Sequence, residues 1–513
     1  MSPTGIAVRK YLILYHRWLG VFFSLLFTVW FGSGLVLMYW PYPEVSVAQR
    51  LEALPLIAAD QVKVSLSEAE ALAQVPKIDR VRLTMLDGRP VYRFHTGRLQ
   101  KLVFADRAEA LGQLNQESAL RIASAWAKQP AAAAHFDGAM KHEDQWTLNK
   151  VVRPLRPFLR FSWPDGQEVY VSQVTGEVMQ HTTRADRIGA YFGAIPHWLY
   201  FTALRKETDL WRAVMIALSF AGVLMTVFGI VVGVWLYSPS KRFRFPSGPS
   251  SIPYAGFKRW HTVIGLVFGL VTFTWILSGL FSMNPFHWSP EFGPDGRVSV
   301  AMQGSAWTGS LFDEETPGEM LKRVGSPAKE LELSLSDGRG VYLLRSGPKQ
   351  LLRVEPGGVP SLGVSFEWAK QRVQAAMPGA ALVESRVVKS YENYYVDRSG
   401  ALPLPAYYFE FGDQDRSMHY VDAASGKLVE SYVTLSRWNR WLYHGLHSFD
   451  LPWLYANRPS WDIAVILPML GGCALCVTSV WIAWLRIRRK FLQMRLAQKV
   501  SAPTSEPYST LSR

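Results

Sequence analysis

Four histidines of this chain are placed so that they could bind a metal cofactor in two pairs. His16 and His261 coincide when the chain is shifted by 245 residues, and His197 and His447 coincide at a shift of 250. Two halves related by an axis along the membrane normal would bring each pair of imidazoles together. Two facing imidazoles supply both axial ligands of a b-type haem iron without a covalent tether. The alternative is simple anchoring at a membrane interface, and the repeat-matched pairing favours haem ligation over it.

His444 leaves the identity of the second pair open. It precedes His447 by three residues on the same face of a helix, and a shift of 247 would make it the partner of His197 instead. Met38 and Met283 also coincide in the repeat, and they are interpreted as packing residues rather than iron ligands. The remaining histidines have no repeat partner and are interpreted as ordinary surface or strand residues: His95, His135, His142, His181, His287 and His419.

The two pairs belong near opposite faces of a membrane. The 22 residues from His16 to Met38 span about 33 Å as a helix. His197 comes after the first outer domain, so it lies at the far end of that helix and cannot ligate the same iron as His16. The sequence therefore predicts two haems b, one at each face.

The elements that must position these histidines are four long apolar runs, at 18–40, 213–237, 262–283 and 463–485. Each is long enough for the roughly 20 residues that cross a hydrocarbon core. The segments 1–17, 238–259 and 486–513 together carry the whole formal net charge of +14. Positive charge beside span ends indicates the cytoplasmic side. This placement explains the basic composition better than nucleic-acid binding does, and it predicts that both termini are cytoplasmic.

The spans and the long segments between them form a tandem repeat. Asp87-Gly88-Arg89 coincides with Asp337-Gly338-Arg339 at the 250 shift, as does Trp211 with Trp461. The predicted order is N-terminus and first span (1–40), outer domain (41–207), second span (208–237), linker (238–259), third span (260–284), outer domain (285–457), fourth span (458–485) and tail (486–513). The fold class is an α-helical membrane protein with two α+β outer domains.

Each outer domain is predicted to contain two small α+β modules. Helical periodicity marks segments 66–73, 117–128, 319–324 and 366–376. Alternating apolar residues mark strands at 81–86, 91–95, 158–163, 169–172, 407–411 and 419–422. No cysteine lies in these domains. Cys473 and Cys476 lie in the fourth span, and they are interpreted as packing residues because Val477 stands where a c-type haem attachment needs histidine.

Three motifs resemble one known family. They are His16-Arg17-Trp18-Leu19-Gly20, the module ends of the form Tyr-Val-x-x-x-[Thr/Ser]-Gly, and Leu446-His447-Ser448 before the last span. In this order, over roughly residues 10–490, they resemble the PepSY-associated transmembrane family, the PiuB/FoxB-like group of iron-regulated inner-membrane proteins. The resemblance implies PepSY modules in the periplasm. It also implies haem-dependent reduction of ferric siderophores.

The predicted function is a haem-containing reductase of the bacterial inner membrane, which takes electrons from a cytoplasmic or quinol donor. The expected partners are the lipid bilayer, a ferric siderophore and periplasmic iron-uptake proteins. The sequence has no strand-linked Gly-x-Gly-x-x-Gly, so we do not expect it to oxidise NADPH by itself. Two other hypotheses stay open. One is a non-redox PepSY sensor or peptidase regulator, and the other is a siderophore-related transporter.

Overall fold

The computed structural model describes residues 3–501, with 502–513 outside the description, including Glu506 and Arg513 of the predicted tail. The α-helices in chain order are α1 Pro3–Leu37, α2 Val47–Ala53, α3 Leu66–Ala73, α4 Gln116–Ala127, α5 Arg184–Phe192, α6 Ala194–Trp198, α7 Thr202–Arg205, α8 Thr208–Leu236, α9 Gly256–Ser282, α10 Gly296–Gln303, α11 Pro317–Val324, α12 Phe366–Ala376, α13 Thr434–Asn439, α14 Leu446–Ser448, α15 Pro452–Tyr455 and α16 Ser460–Ser501.

Four of the described helices, α1, α8, α9 and α16, are long and apolar enough to span a membrane. The chain is a multi-pass membrane protein. Two of these helices extend beyond their apolar runs at the basic ends, since α1 begins at Pro3 and α16 continues to Ser501. A basic segment beyond the apolar run can continue the helix, because water at the interface solvates its charged side chains.

The four long helices form one bundle. Both α1 and α9 pack against α8 and α16, so α1 and α9 lie diagonally across the bundle from each other. Aromatic side chains fill its centre, including Phe23, Phe27 and Phe31 from α1 and Trp275 from α9. Diagonal placement brings the two helices that carry His16 and His261 to opposite sides of one axis.

Three antiparallel sheets form the two outer segments. The strands are β1 Arg80–Leu86, β2 Arg89–Thr96, β3 Leu99–Phe104, β4 Glu109–Ala110, β5 His135–Met140, β6 Phe158–Ser162, β7 Glu168–Ser172, β8 Val178–Thr182, β9 Phe243–Phe245, β10 Gly248–Ser250, β11 Glu330–Ser336, β12 Arg339–Gly347, β13 Gln350–Val354, β14 Leu382–Val388, β15 Ala406–Phe411, β16 Met418–Asp422 and β17 Leu428–Tyr432. Strands β5–β8 and β14–β17 form two four-stranded sheets, whereas β9 and β10 pair with each other in the linker between α8 and α9. The predicted helices and strands of the outer segments are confirmed.

The third sheet joins the two halves of the chain, which sequence reasoning missed. It has seven strands in the order β13-β12-β11-β1-β2-β3-β4. At the β1–β11 seam Arg82 lies opposite Glu332, with Val81 opposite Leu333 and Leu83 opposite Leu331. Arg82 and Glu332 are 250 residues apart, so the strands pair symmetrically about equivalent positions. This seam fixes the two halves above the helix bundle.

A buried charge cluster lies on the seam. Arg82 is 4 % exposed and forms salt bridges with Glu330 at 3.0 Å and with Glu177 at 3.1 Å. Arg80 forms a salt bridge with Glu332 at 2.7 Å. Burial alone would raise the pKa of Glu177, but the guanidinium of Arg82 holds it below its ordinary value. The halves carry opposite charges at equivalent positions, so they complement each other instead of repelling.

Glu430 on β17 predicts a pH dependence of stability. Its Oε1 accepts a hydrogen bond from the Gly293 N–H at 2.8 Å, and burial raises its pKa from 4.5 to about 7. A group with a raised pKa stabilises the fold below its ordinary pKa, and this contribution is lost as pH rises through the folded value. We expect the melting temperature to fall between about pH 5 and pH 8 for this reason.

The variant Glu430→Gln should lack that part of the fall. Glutamine stands at the equivalent position of the first half, where the Gln180 amide donates to the carbonyls of Pro43 and Trp146. Thermal unfolding of the purified protein in detergent at several pH values checks this. An identical pH profile for the variant and the parent protein would contradict it.

Candidate functional site

The structure brings His16 and His261 together near one end of the bundle. Their ring centroids are 6.2 Å apart and their planes are inclined by 35°. His16 lies almost four turns inside α1, and His261 lies in the second turn of α9. Gly229 of α8 makes room for the first ring, since a Cβ there would come within 2.6 Å of His16 Cε1.

His197 and His447 meet at the other end, where the bundle joins the outer segments. Their ring centroids are 6.1 Å apart and their planes are inclined by 63°. His197 is on α6, which packs against α1, and His447 is on α14, which packs against α9. Both short helices follow the last strand of a four-stranded sheet, so each sheet positions one of the two imidazoles.

His444 does not face His197. Its ring lies against Phe292 at 5.2 Å and Tyr443 at 4.3 Å between centroids. It belongs to a π-helical turn, Arg440–Gly445, directly before α14. The pair that the structure forms is therefore His197 with His447.

The Nδ1 atoms of two histidines donate hydrogen bonds to backbone carbonyls. His16 Nδ1 lies 3.0 Å from the carbonyl oxygen of Met225, and His197 Nδ1 lies 3.1 Å from that of Trp30. A carbonyl oxygen can only accept a hydrogen bond. In both imidazoles the proton is therefore on Nδ1.

The other two histidines are held through hydroxyl groups. Ser278 Oγ lies 3.0 Å from His447 Nδ1, and Ser479 Oγ lies 3.2 Å from His261 Nδ1. Each hydroxyl donates its own proton to a carbonyl oxygen of its own helix, so it accepts from the imidazole. All four Nε2 atoms thus carry a lone pair, and none has a hydrogen-bond partner among residues 3–501.

Each histidine pair is spaced so that one metal ion could be held between its two Nε2 atoms. Imidazole nitrogen lies about 2.0–2.1 Å from zinc, and the ring centroid about 1 Å farther, so two imidazoles that held one ion of similar size between them would have centroids about 6 Å apart. The observed 6.2 Å and 6.1 Å match this separation. Histidines that bind a metal through one ring nitrogen typically donate a hydrogen bond from the other ring nitrogen, which fixes the tautomer and the ring orientation.

The two pairs are too far apart to share one ion. Ser33 of α1 contacts His197 at 3.3 Å, and it follows His16 by 17 residues in the same helix. That is about 25 Å at 1.5 Å per residue. Each pair is a separate site, one at each end of the bundle.

A cavity of about 300 Å³ surrounds the second pair. Trp30 and Trp275 line it, and their indole N–H groups are buried and lack a hydrogen-bond partner within the described part of the chain. Gly34 and Gly279 face the two rings, since a Cβ would lie 3.3 Å from His197 Cε1 and 3.8 Å from His447 Cε1. Apolar walls, the glycine Gly279 in the lining and two unpaired donors suit a flat, largely apolar group with polar substituents.

Met283 lines the cavity of the second histidine pair, and Met38 packs against the core of the bundle. Cys473 and Cys476 are free thiols, of which Cys476 is buried. Among the residues that the structure describes, no group of three or more histidine, cysteine or acidic side chains has the geometry of a metal site. The histidines without a repeat partner make ordinary contacts, such as the hydrogen bond between His181 and Gln167.

Sequence reasoning missed part of what holds these sites. The hydroxyls of Ser33 and Ser278 lie within hydrogen-bond distance of the imidazoles, a contact that the sequence analysis did not predict. The signal was present, since both serines coincide at the same 245 shift as the first histidine pair. The unpaired indole groups of Trp30 and Trp275 coincide at that shift too.

The comparisons with known proteins agree with the predicted resemblance. A family model described as the PepSY-associated TM region matches residues 13–329, which is more than half of the chain. The matched range includes His16, His197 and His261, and it ends before His447. No curated protein matches the chain.

Proposed function

Because the chain belongs to the PepSY-associated transmembrane family, we propose that it is a haem-containing reductase of the bacterial inner membrane. It moves electrons across the bilayer to reduce ferric siderophore iron in the periplasm. The observation that carries the proposal is the presence of two facing histidine pairs at opposite ends of one bundle, each with free Nε2 lone pairs. The proposed topology is two tandem helix–PepSY domain–helix repeats.

Haem, when bound, supplies one-electron redox chemistry at each site. The chain's own residues hold and orient it. The Nδ1–H hydrogen bonds of His16 and His197 keep their Nε2 lone pairs free to bind iron. Gly279 leaves room beside the His447 ring, and aromatic side chains line the cavity around it.

The distribution of basic residues gives the proposed orientation of the protein in the membrane, and with it the direction of electron transfer. Basic residues cluster at the His16 end, where Arg486 and Lys490 lie over the ring of Trp18. By the positive-inside rule that end faces the cytoplasm, and the sheets and the His197–His447 pair face the periplasm. A cytoplasmic or quinol donor gives one electron and Fe³⁺ accepts it. The resulting Fe²⁺ binds hard oxygen ligands more weakly, which releases it to periplasmic iron-uptake proteins.

A spectroscopic experiment tests the proposal. Protein purified from haem-replete cells should show a Soret band that shifts on reduction with dithionite. Mixing the reduced protein anaerobically with a ferric hydroxamate should restore the oxidised spectrum, and a ferrous-specific chelator should trap one Fe²⁺ per electron. The matched control is the same mixture with the gallium hydroxamate, which cannot accept the electron.

Two results would overturn the proposal. A colourless preparation would show that the protein does not bind haem. It would favour a non-redox sensor, a peptidase regulator or a transporter. If the reduced red protein is reoxidised no faster by the ferric complex than by the gallium complex, the protein binds haem but is not a ferric reductase.

A further inference from the structure

A second cavity, the outer cavity, lies in the first outer segment and shares no lining residue with the cavity around His197 and His447. Its volume is about 310 Å³, and it is bounded by α2, the β1–β2 hairpin and α4. The side chains of Leu86, Ile122 and Trp126 form the apolar part of its wall, and two arginines also line it, Arg50 and Arg93. Apolar walls with a few charged groups are typical of a small-molecule site.

The guanidinium of Arg93 is buried without a close carboxylate. The residue is 1 % exposed, and it donates to two neutral oxygens, from Nε to Thr84 Oγ1 at 2.8 Å and from Nη1 to the Thr175 carbonyl at 2.6 Å. Glu177 lies 3.9 Å from Arg93 and is closer to Arg82, at 3.1 Å. Within residues 3–501 the Nη2 of Arg93 has no hydrogen-bond partner. Burial lowers the pKa of Arg93 to about 10, so the group is still charged at neutral pH.

The buried charges around Arg93 do not balance. Three guanidiniums meet two carboxylates, and all five side chains are less than a fifth exposed; they are Arg50, Arg82, Arg93, Glu177 and Glu330. Arg50 donates to Glu330 at 2.6 Å through Nη1 alone. A buried charge without a partner is costly. One negative charge in the outer cavity would balance this group.

The other cations of the seam are solvated. Arg80 and Lys427 both form salt bridges with Glu332, and Arg80 also lies 4.0 Å from Glu330. The two cationic side chains are 43 % and 38 % exposed. Water therefore reaches the positive charge that Glu332 leaves unbalanced, whereas the charge of Arg93 is closed off from bulk solvent.

The second half neutralises an arginine at the corresponding place with its own residues. Arg353 of β13 donates from Nη1 to the carbonyl oxygen of Ser425 at 3.4 Å, as Arg93 does to that of Thr175. Glu355 forms a salt bridge with Arg353 at 3.3 Å. The indole ring of Trp368 also covers this guanidinium, with 5.7 Å between the Arg353 Cζ atom and the ring centroid.

The first half lacks both of these groups. At the 250 shift, Ala105 stands at the position of Glu355, and Ser118 stands at that of Trp368. Alanine and serine supply neither a negative charge nor an aromatic surface. Arg93 therefore borders the outer cavity without the carboxylate and the aromatic cover that the arginine of the second half has.

We propose that the outer cavity binds a small organic carboxylate. The carboxylate group accepts hydrogen bonds from Arg93 and Arg50, and the apolar body of the molecule packs against Leu86, Ile122 and Trp126. Charge-assisted hydrogen bonds of this kind are stronger than those between neutral groups. The ligand supplies to the first half the negative charge that Glu355 supplies to the second. This site is independent of haem binding.

Benzoate and 2-naphthoate are the probes, and their amides are the uncharged controls of nearly the same shape. We expect at least one of the two carboxylates to bind the purified full-length protein in detergent, as measured by isothermal titration calorimetry. The corresponding amide should bind at least about tenfold more weakly. The comparison separates recognition of the charge from partition of an aromatic ring into the detergent.

Two variants with matched controls locate the binding. Arg93→Leu should weaken it at least about tenfold, and leucine is the residue of the second half at this position, Leu343. Its control is Arg353→Leu, which also removes a buried arginine but should leave binding unchanged. Ala125→Trp should weaken binding by filling the outer cavity from α4, and Ala375→Trp at the equivalent position of α12 should not.

Four results would overturn the proposal. They are no binding of either carboxylate to the parent protein, equal binding of the acid and its amide, equal effects of the two leucine variants, and equal effects of the two tryptophan variants. Circular dichroism and gel filtration establish that each variant is folded before binding is compared. If Arg93→Leu does not fold, the two tryptophan variants and the amide comparison decide the question.

Discussion

In protein purified from haem-replete cells, we expect His197→Ala to remove about half of the Soret absorbance per chain, and His16→Ala to remove the other half. The reason is that the two pairs are separate, with each histidine held by its own Nδ1 hydrogen bond at opposite ends of the bundle. The double variant should be colourless. Absorbance at the Soret maximum, normalised to protein concentration, measures the result.

The matched control is His444→Ala. His444 lies in the same aromatic region, but its ring packs against Phe292 and Tyr443 instead of facing His197. We expect this variant to retain its full Soret absorbance, whereas His447→Ala should lose as much as His197→Ala. Loss of all haem, or of none, from either single variant would contradict the two-site arrangement. A loss in His444→Ala equal to that in His197→Ala would contradict the pairing with His447.

The histidine pairing was predictable because one constant shift relates the spans that carry His16 and His261, and a second relates the segments that carry His197 and His447. Long apolar runs define the helices, and a constant shift across a helix places equivalent residues at equivalent depth. The strand and helix positions of the outer segments were predictable for a similar reason, since alternation and helical periodicity are local signals. The Asp-Gly pairs at 87–88 and 337–338 form the hairpin turns that such pairs favour.

The association of the two halves was not predictable from these local signals. Strands β1 and β11 are about 250 residues apart, and neither alternation nor turn residues state which strand pairs with which. The π-helical turn at Arg440–Gly445 likewise was not predicted from periodicity. One signal of the seam was nevertheless present, because the repeat reverses charge at three equivalent positions. They are Arg80 and Glu330, Arg82 and Glu332, and Glu177 and Lys427.

The reversed charges predict that Arg82 is the most sensitive position of the outer segments. In Arg82→Ala, the carboxylates of Glu177 and Glu330 would lose the guanidinium that they share while staying buried. Glu330 would keep Arg50 at 2.6 Å, and Glu177 would keep Arg93 at 3.9 Å. Removing one partner of a buried ion pair typically costs about 3–5 kcal/mol, because the remaining charge is left without compensation. Because both carboxylates keep another cationic partner, we expect the free energy of unfolding of the outer segments to fall by an amount near the lower end of that range, as measured by urea denaturation followed by tryptophan fluorescence.

The control is Lys77→Ala, which removes an exposed ion pair of the same half. Lys77 and Asp79 are 3.4 Å apart and 80 % and 42 % exposed, so the loss should be about 0–1 kcal/mol. Adding Glu177→Gln to Arg82→Ala removes the carboxylate that is left with the weaker partner, and it should restore part of the lost stability. Equal losses for Arg82→Ala and Lys77→Ala, or a double variant no more stable than Arg82→Ala alone, would show that the seam is held by its backbone pairing and apolar packing instead of by complementary charge.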